Sequence, residues 1–248
     1  MDLGIDGRRA AVAAGSAGLG LAAARALAQA GCRVAICGRD PDRLARATAM
    51  IGASSVGLKV DVGDAAGGQR FVAAATEALG GVDILVTNAG GPPPGTFSDT
   101  PLEAYQPALE LNLLSVVGMC TAAVPPMREQ GFGRVVAITS VSVRQPIDFL
   151  VLSNTARAGA TGFLKSLALE VAGDGVTVNS VQPGYHDTDR LAGLPEDARA
   201  RMLAQIPAGR LGDAGDFGRV VAFLASAHAG FITGAAIPVD GGSYGGLQ

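Results

Sequence analysis

Residues 135–170 read VVAITSVSVRQPIDFLVLSNTARAGATGFLKSLALE. The opening run, Val135-Val136-Ala137-Ile138, is apolar at consecutive positions, as a strand buried on both faces must be. Thr139-Ser140-Val141-Ser142 then gathers hydroxyls where the chain leaves the sheet, and a loop carrying Arg144, Pro146 and Asp148 follows. A helix is expected over about 150–172, with Ser153 and Arg157 in its first turns. A strand end, a hydroxyl cluster and a helix that brings back a hydroxyl and a cation are how an α/β protein collects polar groups at one edge of its sheet.

Outward from this stretch the same alternation runs the length of the chain. Strands are expected at 10–14, 33–37, 55–60, 83–87, 134–139, 177–181 and 236–239, and helices at 19–30, 41–50, 65–79, 101–130, 150–172 and 213–227. Asp40-Pro41 reads as an N-cap followed by proline at the first helical position. The pattern predicts an α/β fold: a Rossmann-type, doubly wound parallel sheet of seven strands with helices on both faces. Ligands on such a sheet bind at the carboxyl ends of the strands, near the switch in strand order. No linker or repeat divides the chain, so residues 1–248 are expected to form one domain, with a lid over the substrate at about 185–205.

Composition narrows the function classes. A hydrophobic share of 48% supplies a deep core and excludes a disordered chain. The net charge is -3 with no basic run, which excludes nucleic acid as the expected partner. No uninterrupted apolar stretch of about 18 residues points to a membrane span, and Asp2 and Asp6 ahead of a glycine-broken run do not make a targeting segment. Cys32, Cys37 and Cys120 are odd in number and read as reduced core residues of a cytoplasmic protein. His186 and His228 lie far apart, too sparse for a metal site.

Ala11-Val12-Ala13-Ala14 runs into Gly15-Ser16-Ala17-Gly18-Leu19-Gly20 and then an alanine-rich helix. A glycine-rich turn between a first strand and a first helix presents backbone N–H groups and the positive helix end to a pyrophosphate. A plain tight turn is the alternative, and the strand before and helix after favour the nucleotide reading. The second strand ends in Cys37-Gly38-Arg39-Asp40. A carboxylate at its tip would bond the ribose 2′-hydroxyl of NAD, whereas arginine accommodates a 2′-phosphate. Gly38 and Arg39 therefore favour NADP over NAD, against two counter-readings: Arg39 as a solvated side chain, and Asp40 as a charge that repels phosphate.

These pieces form an ordered set: Ala14-x-x-x-Gly18-Leu19-Gly20, Asp61-Val62, Thr87-Asn88-Ala89-Gly90, Asn112, Ser140, Asn179, Pro183-Gly184 with Thr188, and Val239-Asp240-Gly241-Gly242. In this order they resemble the short-chain dehydrogenase/reductase family, and most of all its 3-oxoacyl-carrier-protein-reductase-like members, from about residue 3 to 242. The resemblance implies an oxidoreductase that interconverts a carbonyl and an alcohol on a small molecule with a nicotinamide cofactor, as a homotetramer. It also implies roles. Gly15, Ser16, Gly18, Leu19 and Gly20 would lie at the pyrophosphate, and Asp61 and Val62 beside the adenine. Asn88, Ala89 and Gly90 would support the cofactor, Asn112 would hold a proton-relay water, and Pro183, Gly184 and Thr188 would border the nicotinamide. Helices around 102–130 and 150–172 would pair between subunits, helped by Ala156, Ala160 and Gly162.

The chain departs from the family where the chemistry is done. The family's catalytic Tyr stands thirteen residues after the Ser, and its Lys four further on. Counting from Ser140 reaches Ser153 and then Arg157. Tyrosine, with a reference pKa of about 10, is drawn toward neutrality by a neighbouring ammonium and can then exchange a proton as hydride moves. A serine hydroxyl is far less acidic; Arg157 keeps a positive charge that can still hydrogen-bond the cofactor ribose, but its planar fork does not usefully deprotonate. Lys165 lies two turns past Arg157, about 12 Å along the axis. Ala14 replaces the first glycine of the loop, tolerable at negative φ but crowding the pyrophosphate, so cofactor binding is expected to be weakened or lost at worst. Three readings follow. The first is an NADP-dependent oxidoreductase with a substitute acid, Tyr185 or His186, Ser140 and Ser142 binding the carbonyl oxygen, and Arg144 or Arg157 taking an anionic substrate group. The second is non-redox chemistry of aldol, dehydration or isomerisation type, and the third a catalytically inactive binding subunit. Pro92–Phe97 and residues 185–194 are expected to shape the pocket.

Overall fold

The computed structural model describes residues 1–189, 191 and 195–247. In chain order the elements are β1 (Arg9–Val12), α1 (Gly18–Gln29), β2 (Arg33–Gly38), α2 (Pro41–Ile51), β3 (Ser55–Lys59), α3 (Ala65–Leu79) and β4 (Ile84–Thr87). They continue with α4 (Tyr105–Leu109), α5 (Ser115–Glu129), β5 (Gly133–Ile138), α6 (Val151–Val171), β6 (Val176–Pro183), α7 (Glu196–Ala204), α8 (Ala214–Leu224) and β7 (Ala236–Val239). All seven strands pair in parallel in the order β3-β2-β1-β4-β5-β6-β7, with boundaries within two residues of those expected. Strand order reverses between β1 and β4, which opens a crevice beyond their carboxyl ends.

The unbroken apolar runs divide by parity. Ala10, Val12, Val34, Ile36, Ile84, Val86, Val136 and Ile138 face α1, α2 and α8, where Leu27, Leu44 and Phe217 are buried. Ala11, Ala35, Cys37, Leu85, Val135, Ala137 and Val178 face α3, α5 and α6 against Phe71, Met119 and Leu164. Each fully buried Val, Leu or Phe contributes roughly 1.5–3 kcal/mol, so both faces hold the sheet and leave its strand ends as the free edge. The three cysteines are buried and unpaired in disulfides, as expected.

Two elements differ from expectation. The single helix expected over 101–130 is a succession of pitches: a 3-10 turn at Leu102–Ala104, then α4, a π turn at Glu110–Leu114, and α5. Pro107 falls in the first turns of α4, where a backbone N–H has no partner to lose. Leu102–Glu129 is the one stretch among the described residues long and apolar enough to cross a membrane by length and composition, and half of its apolar window is buried inside the fold. The second difference is α7, inside the expected lid. Its residues, EDARARMLA, carry no apolar stripe and bury no side chain. What holds it is local: acidic residues in the first turn, Arg201 in the last, and an Arg201–Asp197 ion pair at 2.8 Å. Arg190, Ala192, Gly193 and Leu194 of the expected lid lie outside the described residues.

Candidate active site

The turn after β1 is held by its neighbours. Ala13 N donates to Val86 O at 2.9 Å and Gly15 N to Cys37 O at 3.1 Å. A Cβ at Gly15 would stand 2.7 Å from Ile36 Cγ2, and one at Gly20 would stand 2.6 Å from the Ala14 carbonyl oxygen, so both positions require glycine. Ala17, the N-cap of α1, offers no side-chain cap, and no acidic residue occupies the first turn. The positive helix end therefore stays open to an anion. Ala14 departs from expectation: its φ is +45°, the only positive φ outside glycine among the described residues. Its N–H donates to Cys37 Sγ at 3.3 Å, and its carbonyl accepts from Asn88 Nδ2 at 3.4 Å. Burial pushes the Cys37 thiol up to about 12, which keeps it a neutral acceptor.

At the tip of β2, Arg39 is exposed and Asp40 turns away. Asp40 Oδ1 accepts from the amides of Arg43 and Asp42 at 3.0 and 2.9 Å as the N-cap of α2. The Arg43 amide lowers the Asp40 carboxyl from its ordinary value. The carboxylate is thus spent on the helix. Past β3, Val62 is buried and Asp61 is exposed.

The π turn carries Asn112, which is 3% exposed. Its Nδ2 donates to Gly90 O at 2.9 Å, while its Oδ1 is buried with no partner. A π turn is a common device for aiming a side chain at a functional position. A buried, unpartnered amide oxygen is a place for a water or a ligand donor.

Beyond β5, Ser140 Oγ accepts from Ser142 N at 3.1 Å and starts a 3-10 turn at Val141–Val143. Ser153 on α6 is 8% exposed. Arg157, one turn on, sends Nη1 to the carbonyls of Ile138 and Thr139 at 3.2 and 3.3 Å, tying α6 to the end of β5. Lys165 donates to Gly234 O instead, two turns away from this group, as the spacing indicated.

A cavity of about 370 Å³ joins these parts. Leu19, Ser140, Ser153, Arg157, Pro183, Gly184 and Thr188 line it together with Thr139, Val141, Tyr185 and His186. Its remaining wall includes Pro92, Pro94, Ile147, Phe149, Leu150, Met202 and Ser243. Arg157 is the only lining residue among those described that carries a fixed charge. Asn88, Ala89, Gly90 and Asn112 stand outside the lining.

Several expected side chains do other work. Arg144 is not available to an anionic substrate: Nε donates to Gln182 Oε1 at 2.7 Å and Nη2 to Ala236 O at 2.5 Å, which fastens the loop to β6 and β7. Ser142 is 1% exposed with its hydroxyl unpartnered, and lies outside the lining. His186 packs edge-on to Phe217 at 5.0 Å, with Nδ1 facing Gly184 O at 3.2 Å. Burial lowers its pKa, so it is neutral near pH 7. Phe97 is 82% exposed and shapes no wall. Phe149 and Ile147 are wall residues that sequence reasoning missed. Their placement depends on a distant bridge, Gly95 with Leu150, and on Asn154, whose Nδ2 donates to Ile147 O at 2.9 Å. Apolar residues inside an otherwise polar loop were the available signal.

Residues 13–244 match the protein family described as enoyl-(acyl carrier protein) reductase. The chain is 37% identical to a 3-oxoacyl-[acyl-carrier-protein] reductase of Escherichia coli (strain K12), over 98% of this chain and 99% of that protein. It is 38% identical to an acetoacetyl-CoA reductase of Rhizobium meliloti (strain 1021), over 96% and 98% of the two chains. The crystal structure of L-sorbose reductase from Gluconobacter frateurii, complexed with NADPH and L-sorbose, superposes with a TM-score of 0.92 at 29% identity, covering 100% of both chains.

Proposed function

The chain belongs to the short-chain dehydrogenase/reductase family of oxidoreductases, and from that premise we propose that it interconverts a carbonyl and an alcohol with NADP(H) at a rebuilt catalytic centre. The observation that carries the reading is the shared cavity, in which Leu19 of the glycine turn and Pro183, Gly184 and Thr188 meet Ser140, Ser153 and Arg157. The chain also fits the cofactor: Gly15 and Gly20 sit where a Cβ would collide, and the N-terminus of α1 is open. Arg39, with Asp40 turned to its helix, favours the 2′-phosphorylated form. A bound NADPH in a structural relative agrees with that preference.

NADPH would supply the hydride; the chain's part is to bind the oxygen and handle the proton. Ser140 and Ser153 offer hydroxyls to the substrate oxygen. Arg157 places positive charge beside the position where an alkoxide develops, which stabilises it without a proton transfer. Tyr185 is the only phenol among the described residues of the cavity wall, and we assign it the proton that the helix residue of relatives would give. His186, neutral and packed on Phe217, serves the wall instead. As the carbonyl is reduced, its oxygen would take the Tyr185 proton, and solvent would restore the phenol.

The test is NADPH oxidation followed by absorbance over a panel of ketones and aldehydes, with NADPH binding measured separately by calorimetry. Tyr185→Phe should lower kcat about 100-fold with KM little changed. Ser153→Tyr with Arg157→Lys should raise the rate at least 10-fold if the shape of the cavity is otherwise preserved. NADPH binding without consumption by any carbonyl would defeat the redox reading. It would favour non-redox proton transfer in the same cavity, the reading supported by the joint replacement of the Tyr and Lys.

A further inference from the structure

At the opposite edge of the sheet, near the amino ends of β5 and β6, a buried cation has no ion-pair partner among the described residues. Arg134 is 5% exposed. Its guanidinium stacks on the Phe132 ring at 4.3 Å, and Arg8 stacks on the same ring at 3.8 Å. Arg134 Nε donates to Ser226 O at 3.2 Å, and Nη1 donates to Gly133 O and Gly175 O at 2.8 and 3.2 Å. All three acceptors are neutral carbonyls. The nearby carboxylate, Asp83, is held by Arg9 at 2.6 Å and lies 3.8 Å from Arg8.

Two hydroxyls beside Arg134 have nothing to bond. Thr177 is the register partner of Arg134 on the neighbouring strand, so its side chain stands on the same face of the sheet. Thr177 is 4% exposed and its Oγ1 has no partner. Ser226, whose carbonyl takes the Arg134 Nε–H, is 0% exposed and its Oγ has no partner either. Over Nη2 stands a glycine: a Cβ at Gly230 would lie 3.5 Å from it. Burial, and then Arg8, lower the Arg134 pKa, as expected where the charge is uncompensated.

We propose that Arg134 Nη2 and the hydroxyls of Thr177 and Ser226 form a binding site for one spherical monovalent anion, a halide such as chloride. A guanidinium can only donate, and both hydroxyls can donate, so an acceptor lodged among them would complete all three. Water would satisfy the hydroxyls but leave the buried charge unbalanced. Carboxylate and phosphate are disfavoured because they use two adjacent guanidinium N–H groups, and Nε and Nη1 are already bonded to carbonyls. The proposal is independent of the catalytic reading.

Thermal unfolding at constant ionic strength tests it, with sodium chloride or bromide replacing sodium gluconate. A ligand that binds only the folded state raises Tm with a saturable dependence on concentration, by about 5 °C well above its Kd for a chain of this size. Thr177→Val and Ser226→Ala each remove one unpartnered hydroxyl with little change of volume. Both should fold, match or exceed the wild type in gluconate, and lose most of the halide increment. Crystals soaked in bromide should show an anomalous peak between Arg134 and Thr177. Equal Tm in halide and gluconate would overturn the proposal. So would a halide response that survives both substitutions, or a bromide-soaked crystal with water alone at that position.

Discussion

Ala14 shows most sharply what one side chain does here. An L-residue at φ +45° brings Cβ toward its own carbonyl, at a cost of about 1–2 kcal/mol. The conformation persists because both of its backbone groups are bound, the N–H by Cys37 Sγ and the carbonyl by Asn88 Nδ2. Ala14→Gly should therefore raise Tm by about 2–4 °C, roughly 1 kcal/mol for a chain of this length. It should also tighten NADPH binding, because the methyl group leaves the pyrophosphate approach. Calorimetric unfolding and NADPH titration check both, and an unchanged Tm would mean the turn carries no strain. This strain was not legible in the sequence. The expectation of a tolerable alanine was conditional on φ, and φ is set by two side chains far along the chain. Ser140, Ser153 and Arg157 were legible, because a strand-to-helix spacing is local and the cavity does bring them together. Arg144 was not, since its partner Gln182 lies 38 residues away.

Among elements, the strands were read to within two residues because burial on both faces leaves a continuous apolar signal. The π turn at Glu110–Leu114 left no such signal, since apolar periodicity does not distinguish α from π pitch over five residues. Helix α7 left none because it buries nothing. The base of the expected lid is a third such case. Gly212 N donates to Tyr185 O and Asp187 N to Gly212 O, at 3.0 and 2.9 Å, so the segment between them is clasped at its base. His186 fills that clasp and carries its own pH dependence. Unfolded, an imidazole takes its proton near pH 6.5. Folded, burial holds it neutral to lower pH. The unfolded chain therefore binds more protons in that window, and stability falls as pH drops below about 6.5 until the folded group also titrates. His186→Leu, which keeps an apolar contact with Phe217, should flatten the fall of Tm below about pH 6.5. An identical pH slope in wild type and variant would exclude His186 as its source.

At the scale of the whole molecule, α6 presents two faces with different tasks. Ala156, Ala160, Leu164 and Ala168 are buried within the subunit, so Ala156 and Ala160 are packed inside it rather than offered to a contact between subunits. The outer face carries Thr155, Ala158, Gly159, Gly162, Ser166 and Leu169, all exposed. Leu169 is 73% exposed, and Leu102 and Phe97, ahead of α5, are 80% and 82% exposed. Small residues with bare apolar side chains nearby suit close helix-to-helix contact between copies, in line with the homotetramer that the family resemblance implies. Gly162 offers a clean test. A Cβ there meets nothing within 4 Å, so a larger side chain disturbs nothing inside the subunit. Replacing a glycine within α6 also favours the helix by up to about 1 kcal/mol. Gly162→Glu should thus fold at least as well as the wild type while setting bulk and charge where the helices of two copies would meet. Light scattering after size exclusion should give the wild type a mass about four times the 24.7 kDa chain and the variant a smaller assembly. If Gly162→Glu keeps the wild-type mass, the outer face of α6 faces solvent, and the exposed Leu102 and Phe97 need another explanation.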